Sequence, residues 1–175
     1  MRKLLNNELG RKTINQVKSS EKSPFIIVLD NVRSQQNVGS VFRTADAFLV
    51  EAIYLCGITG QPPAREIQKT ALGATESVEW KYFQNTVDAI TELKKSGYNI
   101  TAVEQAEGSV DLQQFGLKKG EKYALIFGHE VNGVSQEVVD MCDNCIEIPQ
   151  FGMKHSFNIA VSAGIVLWDL TRKVF

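Results

Sequence analysis

Phe25-Ile-Ile-Val-Leu-Asp30, followed after a short break by Asn37-Val-Gly-Ser-Val-Phe-Arg-Thr-Ala-Asp46, sets the class of fold. The first stretch is an unbroken apolar run of strand length, without the polar alternation of a half-exposed strand, so it reads as buried on both faces. The second carries a helical pattern over residues 38–48. A doubly buried strand feeding a helix is the unit of a parallel sheet covered on both sides.

The alternation continues outward from there. Apolar runs at 52–56, 100–103 and 123–127 read as strands, with a weaker one at 80–83 and a last short one at 146–148, stopped by Pro149. Helical patterns occupy 86–95, 135–141 and 156–173. There is no internal repeat, low-complexity tract or long linker. The expectation is one Rossmann-like α/β domain over residues 23–175, preceded by an N-terminal extension over residues 1–22. In such sheets ligands gather beyond the carboxyl ends of the strands. The loops after Leu29, Cys56, Val103, Phe127 and Ile148 therefore form one candidate rim.

Composition narrows the class. The chain has 175 residues, 43% hydrophobic and 22% charged, which suits a single globular domain. No signal peptide is visible, and the apolar stretch 157–170 is broken by Asn158, Ser162 and Asp169, so the reading is a cytoplasmic protein without a membrane span. A net charge of -1 gives no basic footprint, but the extension holds Arg2, Lys3, Arg11, Lys12, Lys18 and Lys22 against Glu8 and Glu21. That arm suits phosphate contact and simple solvation equally. Cys142 and Cys145 form a lone C-x-x-C without a second pair, so they read as half-buried thiols and no metal is assigned.

Three segments carry chemistry. In the first, Asn37 can cap the helix, sit in a turn or hold a ligand through its amide. Gly39 lies four residues before Arg43, leaving open surface beside the guanidinium where a phosphate or ribose would fit. In the second, Ala124 to Ser135, a strand runs into Gly128, Glu130 and Gly133, with Ser135 as a helix cap. Glycine at the strand end permits close approach to a ligand, yet the pattern is neither G-x-G-x-x-G nor a P-loop. In the third, Ile148-Pro149 leads to Ser156 as the expected N-cap of the last helix, with Asn158 in its first turn. Ala160 and Gly164 there permit close helix packing, within the chain or against a second subunit.

Taken in order, Asn37-x-Gly39-x-x-x-Arg43, Phe127-Gly128-x-Glu130-x-x-Gly133 and Ile148-Pro149 followed by Ser156-x-Asn158 resemble the SPOUT class of RNA methyltransferases, in its SpoU/TrmH branch. The likeness spans residues 25–174. It implies a C-terminal deep trefoil knot, against the general preference for unknotted connections. It also implies S-adenosylmethionine held at the knot and a homodimer with its site near the subunit interface. By the same resemblance, Gly128, Ile148 and Phe157 bind the cofactor, largely through backbone groups, although the family usually has leucine where Phe157 stands. Arg43 is the implied catalytic residue, supported by Asn37, Glu130, Ser156 and Asn158.

The implied reaction is methylation of a ribose 2′-hydroxyl in tRNA or rRNA. The stretches Lys69-Thr-Ala-Leu-Gly-Ala74 and 166–172 look most like relatives acting on tRNA guanosine. An arginine stays protonated at useful pH, which favours stabilising a developing alkoxide, although the family is often described as using it as a base. Competing readings are a non-catalytic RNA- or cofactor-binding domain, a flavodoxin-like nucleotide binder, and methylation of a base nitrogen as in the TrmD branch. The intact set of three segments disfavours the first, and the motif order disfavours the last.

Overall fold

The computed structural model describes residues 1–174; Phe175, the end of the expected domain, lies outside them. Seven parallel strands form one sheet in the order β3-β2-β1-β6-β4-β7-β5. They are β1 (Ser23–Asp30), β2 (Val50–Cys56), β3 (Glu79–Phe83), β4 (Tyr98–Val103), β5 (Val110–Asp111), β6 (Lys122–Phe127) and β7 (Asn144–Glu147). The helices are α1 (Ile14–Ser19), α2 (Gln35–Ala47), α3 (Arg65–Ala71), α4 (Ala74–Ser77), α5 (Thr86–Lys95), α6 (Gln136–Asp140) and α7 (Ile159–Val174).

The central strand shows why the apolar run does not alternate in polarity. Phe25, Ile27 and Leu29 of β1 face a core shared with α2 and α7, through Val41, Phe42, Val166 and Leu170. Ile26 and Val28 face the opposite core, shared with α5 and α6 through Ile90, Leu93 and Val138. Both faces are covered, so neither parity can be polar. Beyond the expected elements the fold adds α1, α3, α4 and β5. All four are too short for periodicity to register.

Two helix starts differ from expectation, each because a different side chain makes the cap. Ser34, not Asn37, precedes α2, its hydroxyl accepting from the Asn37 N–H at 3.3 Å. The last helix starts at Ile159, not Ser156; Asn158 Oδ1 accepts from the Ala160 N–H at 2.9 Å and fills the capping role. Gly39 also differs. It is buried where α2 crosses α3, and a Cβ there would overlap Thr70 and the Ile67 carbonyl. It is a packing glycine and opens no surface beside Arg43.

Around β7 the path of the chain is unusual. β7 lies between β4 and β5, and residues 104–109 carry the chain from one flank to the other. Glu104 N–H donates to the Ile146 carbonyl on one side, and Leu112 N–H to the Glu147 carbonyl on the other. The exit of β7 is thereby gripped by two segments that precede it in sequence.

The Gly39 crossing gives a direct test. Gly39→Val should cost about 1–3 kcal/mol by overpacking against α3 backbone. The readout is a lowered urea midpoint, and an unchanged midpoint would show that α2 and α3 separate freely.

Candidate functional site

A cleft of about 510 Å³ opens at the carboxyl ends of β4, β6 and β7. Its apolar lining comes from Val103, Phe127, Ile148, Phe157 and Ile159, and its polar lining includes Glu104, His129, Glu130, Ser156 and Asn158. The size and the mixture of a few polar groups with apolar walls fit a nucleoside-sized ligand. Gly128, Ile148 and Phe157, the implied cofactor residues, all line it.

Loop 128–134 is shaped by two glycines. His129 and Gly133 pair as a short antiparallel bridge, with the Gly133 N–H donating to the His129 carbonyl at 2.8 Å. A Cβ on Gly128 would overlap the Gly133–Val134 backbone. The close approach of the chain's own turn thus requires glycine at position 128. Gly133 has φ +66°, and Glu104 packs against it while accepting from the Val134 N–H at 2.8 Å. His129 Nδ1 accepts from the Val131 N–H at 3.0 Å, so its ring holds the turn. Glu104 was missed in the sequence because a single acid after a strand carries no motif.

The three motifs meet through one chain of hydrogen bonds. Glu130 accepts from the backbone N–H groups of Arg33 (3.1 Å) and Ser34 (2.9 Å) and from Asn37 Nδ2 (3.1 Å). Asn37 Oδ1 in turn accepts from Asn158 Nδ2 at 3.0 Å. Burial pulls the Glu130 carboxyl upward, but the N–H donors of Ser34, Glu130 itself and Arg33, with the Asn37 amide, outweigh it and hold it below its ordinary value. Ser156 lines the cleft without joining this network.

Arg43 is not in that cleft. It lines a separate groove of about 410 Å³ with Ser40, Thr44, Lys69, Thr70, Ala160 and Val161. The first turn of α7 divides the two spaces: Asn158, Ile159 and Ser162 face the cleft, whereas Ala160 and Val161 face the groove. That split follows the helical period. Elsewhere, Cys142 and Cys145 are half-buried, as expected, and each Sγ donates to a carbonyl, of Val138 and Glu104 respectively. Burial pushes the Cys142 thiol up to about 12.

A parallel α/β sheet whose three loop motifs converge beside a nucleoside-sized cleft defines a class, and residues 24–168 match it: the chain belongs to the SpoU rRNA Methylase family. It is 30% identical over 166 residues to the tRNA (guanosine(18)-2′-O)-methyltransferase of Aquifex aeolicus, covering 93% of this chain and 75% of that one. It is also 30% identical to a putative TrmH family tRNA/rRNA methyltransferase of Staphylococcus saprophyticus, covering 90% and 62%. Among solved structures, the AdoMet-bound rRNA methyltransferase from Sinorhizobium meliloti superposes with a TM-score of 0.82 at 30% identity, covering 89% and 58%. The chain thus spans three quarters of the Aquifex enzyme but less than two thirds of the other two proteins. No described helix is long and apolar enough to cross a membrane.

The sign of the Glu130 shift sets its pH dependence. A carboxyl held below its unfolded value, about 4.3, contributes stability that is present above that value and is lost as pH falls through the folded one. Glu130→Gln should therefore lower the unfolding free energy at neutral pH, read from denaturant curves, by about 1–3 kcal/mol, and the gap to wild type should narrow below about pH 4. Parallel curves over that range would show that the carboxylate charge does not hold the network.

Proposed function

We propose that this protein transfers a methyl group from S-adenosylmethionine to a ribose 2′-hydroxyl of RNA. The observation that carries the reading is the Glu130–Asn37–Asn158 chain, which locks the family's three motifs together at the mouth of a cleft sized for the cofactor. The cleft suits that ligand chemically. Phe127, Ile148, Phe157 and Ile159 offer apolar walls for a base, and the carboxylates of Glu104 and Glu130 lie near enough to favour a cationic ligand. The backbone of Gly128, Ile148 and Phe157 holds the ligand. When bound, it supplies an electrophilic methyl group on a sulfonium.

The chain's own residues have to prepare the hydroxyl. It is a weak nucleophile and gains negative charge as it attacks, so a fixed cation beside its oxygen lowers the barrier. Arg43 supplies that cation, binding the 2′-oxygen and the adjacent phosphate through its planar fork of donors. Asn158 and Asn37 orient the ribose at the cleft mouth, while Glu130 orients Asn37. Ser156, at the same mouth, offers a hydroxyl to the substrate. tRNA guanosine is the favoured target, supported by the Aquifex relative and its name. The grip of β4 and β5 on the exit of β7 supports reading the last third of the chain as knotted.

The working form is a homodimer. Val161 and Trp168 on α7 are 49% and 64% exposed, and no described atom lies within 4 Å of a Cβ built on Gly164. A helix face combining small and apolar residues suits close packing against a second copy. Because α7 separates Arg43 from the cleft of its own chain, Arg43 of one subunit serves the cofactor held by the other.

Three experiments test this reading. Labelled S-adenosylmethionine with total RNA from a strain lacking the gene should give a 2′-O-methylnucleoside. Arg43→Ala should lower the rate by at least about 10²-fold with cofactor affinity retained; near-normal turnover would remove Arg43 from the chemistry. Arg43→Ala subunits mixed with Gly128→Ala subunits should then recover activity, since only their heterodimer pairs an intact Arg43 with an intact cleft across the interface. Failure to recover, with heterodimers demonstrated, would place both in one subunit.

A further inference from the structure

The groove that holds Arg43 contains a second cation that no motif assigns. α2 presents Ser40, Arg43 and Thr44 at the three-and-four spacing of one helix face, and α3 presents Lys69 and Thr70 opposite them. No carboxylate lines the groove, and neither Arg43 nor Lys69 has an ion-pair partner among the described residues. The helices that carry the two cations are held against each other at the tight α2–α3 crossing at Gly39.

The hydroxyls show what kind of ligand fits. Ser40 Oγ already donates to the Gln36 carbonyl at 2.9 Å, Thr44 Oγ1 to the Ser40 carbonyl at 3.0 Å, and Thr70 Oγ1 to the Gln36 carbonyl at 3.0 Å. With those protons engaged, the groove's free side-chain donors are the two charged groups. A pair of cations without directional neutral donors recognises charge and not base identity, which is how a nucleic-acid backbone is held.

We infer that Lys69 and Arg43 together seat a phosphodiester of the RNA strand, with Lys69 as a positioning residue that anchors the backbone while Arg43 acts at the reacting nucleotide. The inference rests on the proposed RNA methyl transfer. Lys69 is an exposed point charge with no structural contact to lose. Its contribution is to bring the strand into register, and it falls on RNA affinity before it falls on the chemical step.

The test uses the intact protein with unfractionated tRNA, its binding followed by fluorescence anisotropy from about 50 to about 200 mM KCl. Removing one phosphate contact should reduce the slope of log K against log salt by about 0.7–0.9. Lys69→Gln should show that reduction, with KM for RNA raised severalfold, kcat little changed and calorimetric S-adenosylmethionine affinity unaltered. Lys69→Arg should restore the slope. An unaltered slope and KM in Lys69→Gln would overturn the assignment, as would a fall in kcat alone. Loss of dimer in Lys69→Gln would overturn it too, since the groove would then seat protein. If the wild type neither binds nor methylates RNA, the proposed function itself fails, an outcome distinct from wild-type RNA binding that Lys69→Gln leaves intact.

Discussion

The charge on Glu130 orders the whole site. A carboxylate can only accept, so the Asn37 amide must turn its NH₂ toward it, which leaves the Asn37 carbonyl oxygen facing Asn158. Asn158 must then offer its own NH₂ to Asn37, and its remaining oxygen caps the start of α7. One anion thus sets the orientation of two amides and the entry of the last helix. Three segments, the first more than ninety residues from either of the others, are held to one polarity.

The same helix entry divides the molecule's two ligand spaces. Because α7 starts at Ile159, residues about half a helical turn apart fall on opposite sides of a wall: Asn158 and Ser162 toward the cleft, Ala160 and Val161 toward the cation-lined groove. Starting the helix at Ser156 would have extended the wall by most of a turn and swallowed the capping amide. The division keeps a cationic groove, suited to RNA phosphates, apart from a cleft bordered by carboxylates, suited to a cationic ligand. Each space carries the charge opposite to the ligand it fits.

Glycine positions show how the same residue type acquires different meanings. In the sequence Gly39 and Gly128 look like openings for a ligand, and Gly133 like a turn. In the fold Gly39 admits α3 backbone, Gly128 admits the chain's own turn, and Gly133 takes a left-handed conformation with Glu104 packed against it. Each creates the site indirectly, by letting other atoms come close.

The sequence by itself determined the layered parallel sheet, because doubly buried strands such as residues 25–29 leave no polar parity to misread, and α5 was legible to its ends because Asn85 caps it locally. The ordered motifs likewise pointed to the family. What only the tertiary structure decided was who touches whom. Ser34 and Asn158 became the caps in place of Asn37 and Ser156, since the choice depends on Glu130 arriving from a distant loop. Glu104 could not be singled out, because it is an isolated charge whose role exists only where another segment crosses it, and the stretch beginning at Lys69 gave no sign that this side chain shares a groove with Arg43. Arg43 was readable as a site residue, but its place across α7 from the cleft was not, because helical phase relative to a neighbouring helix is set by packing and not by local spacing.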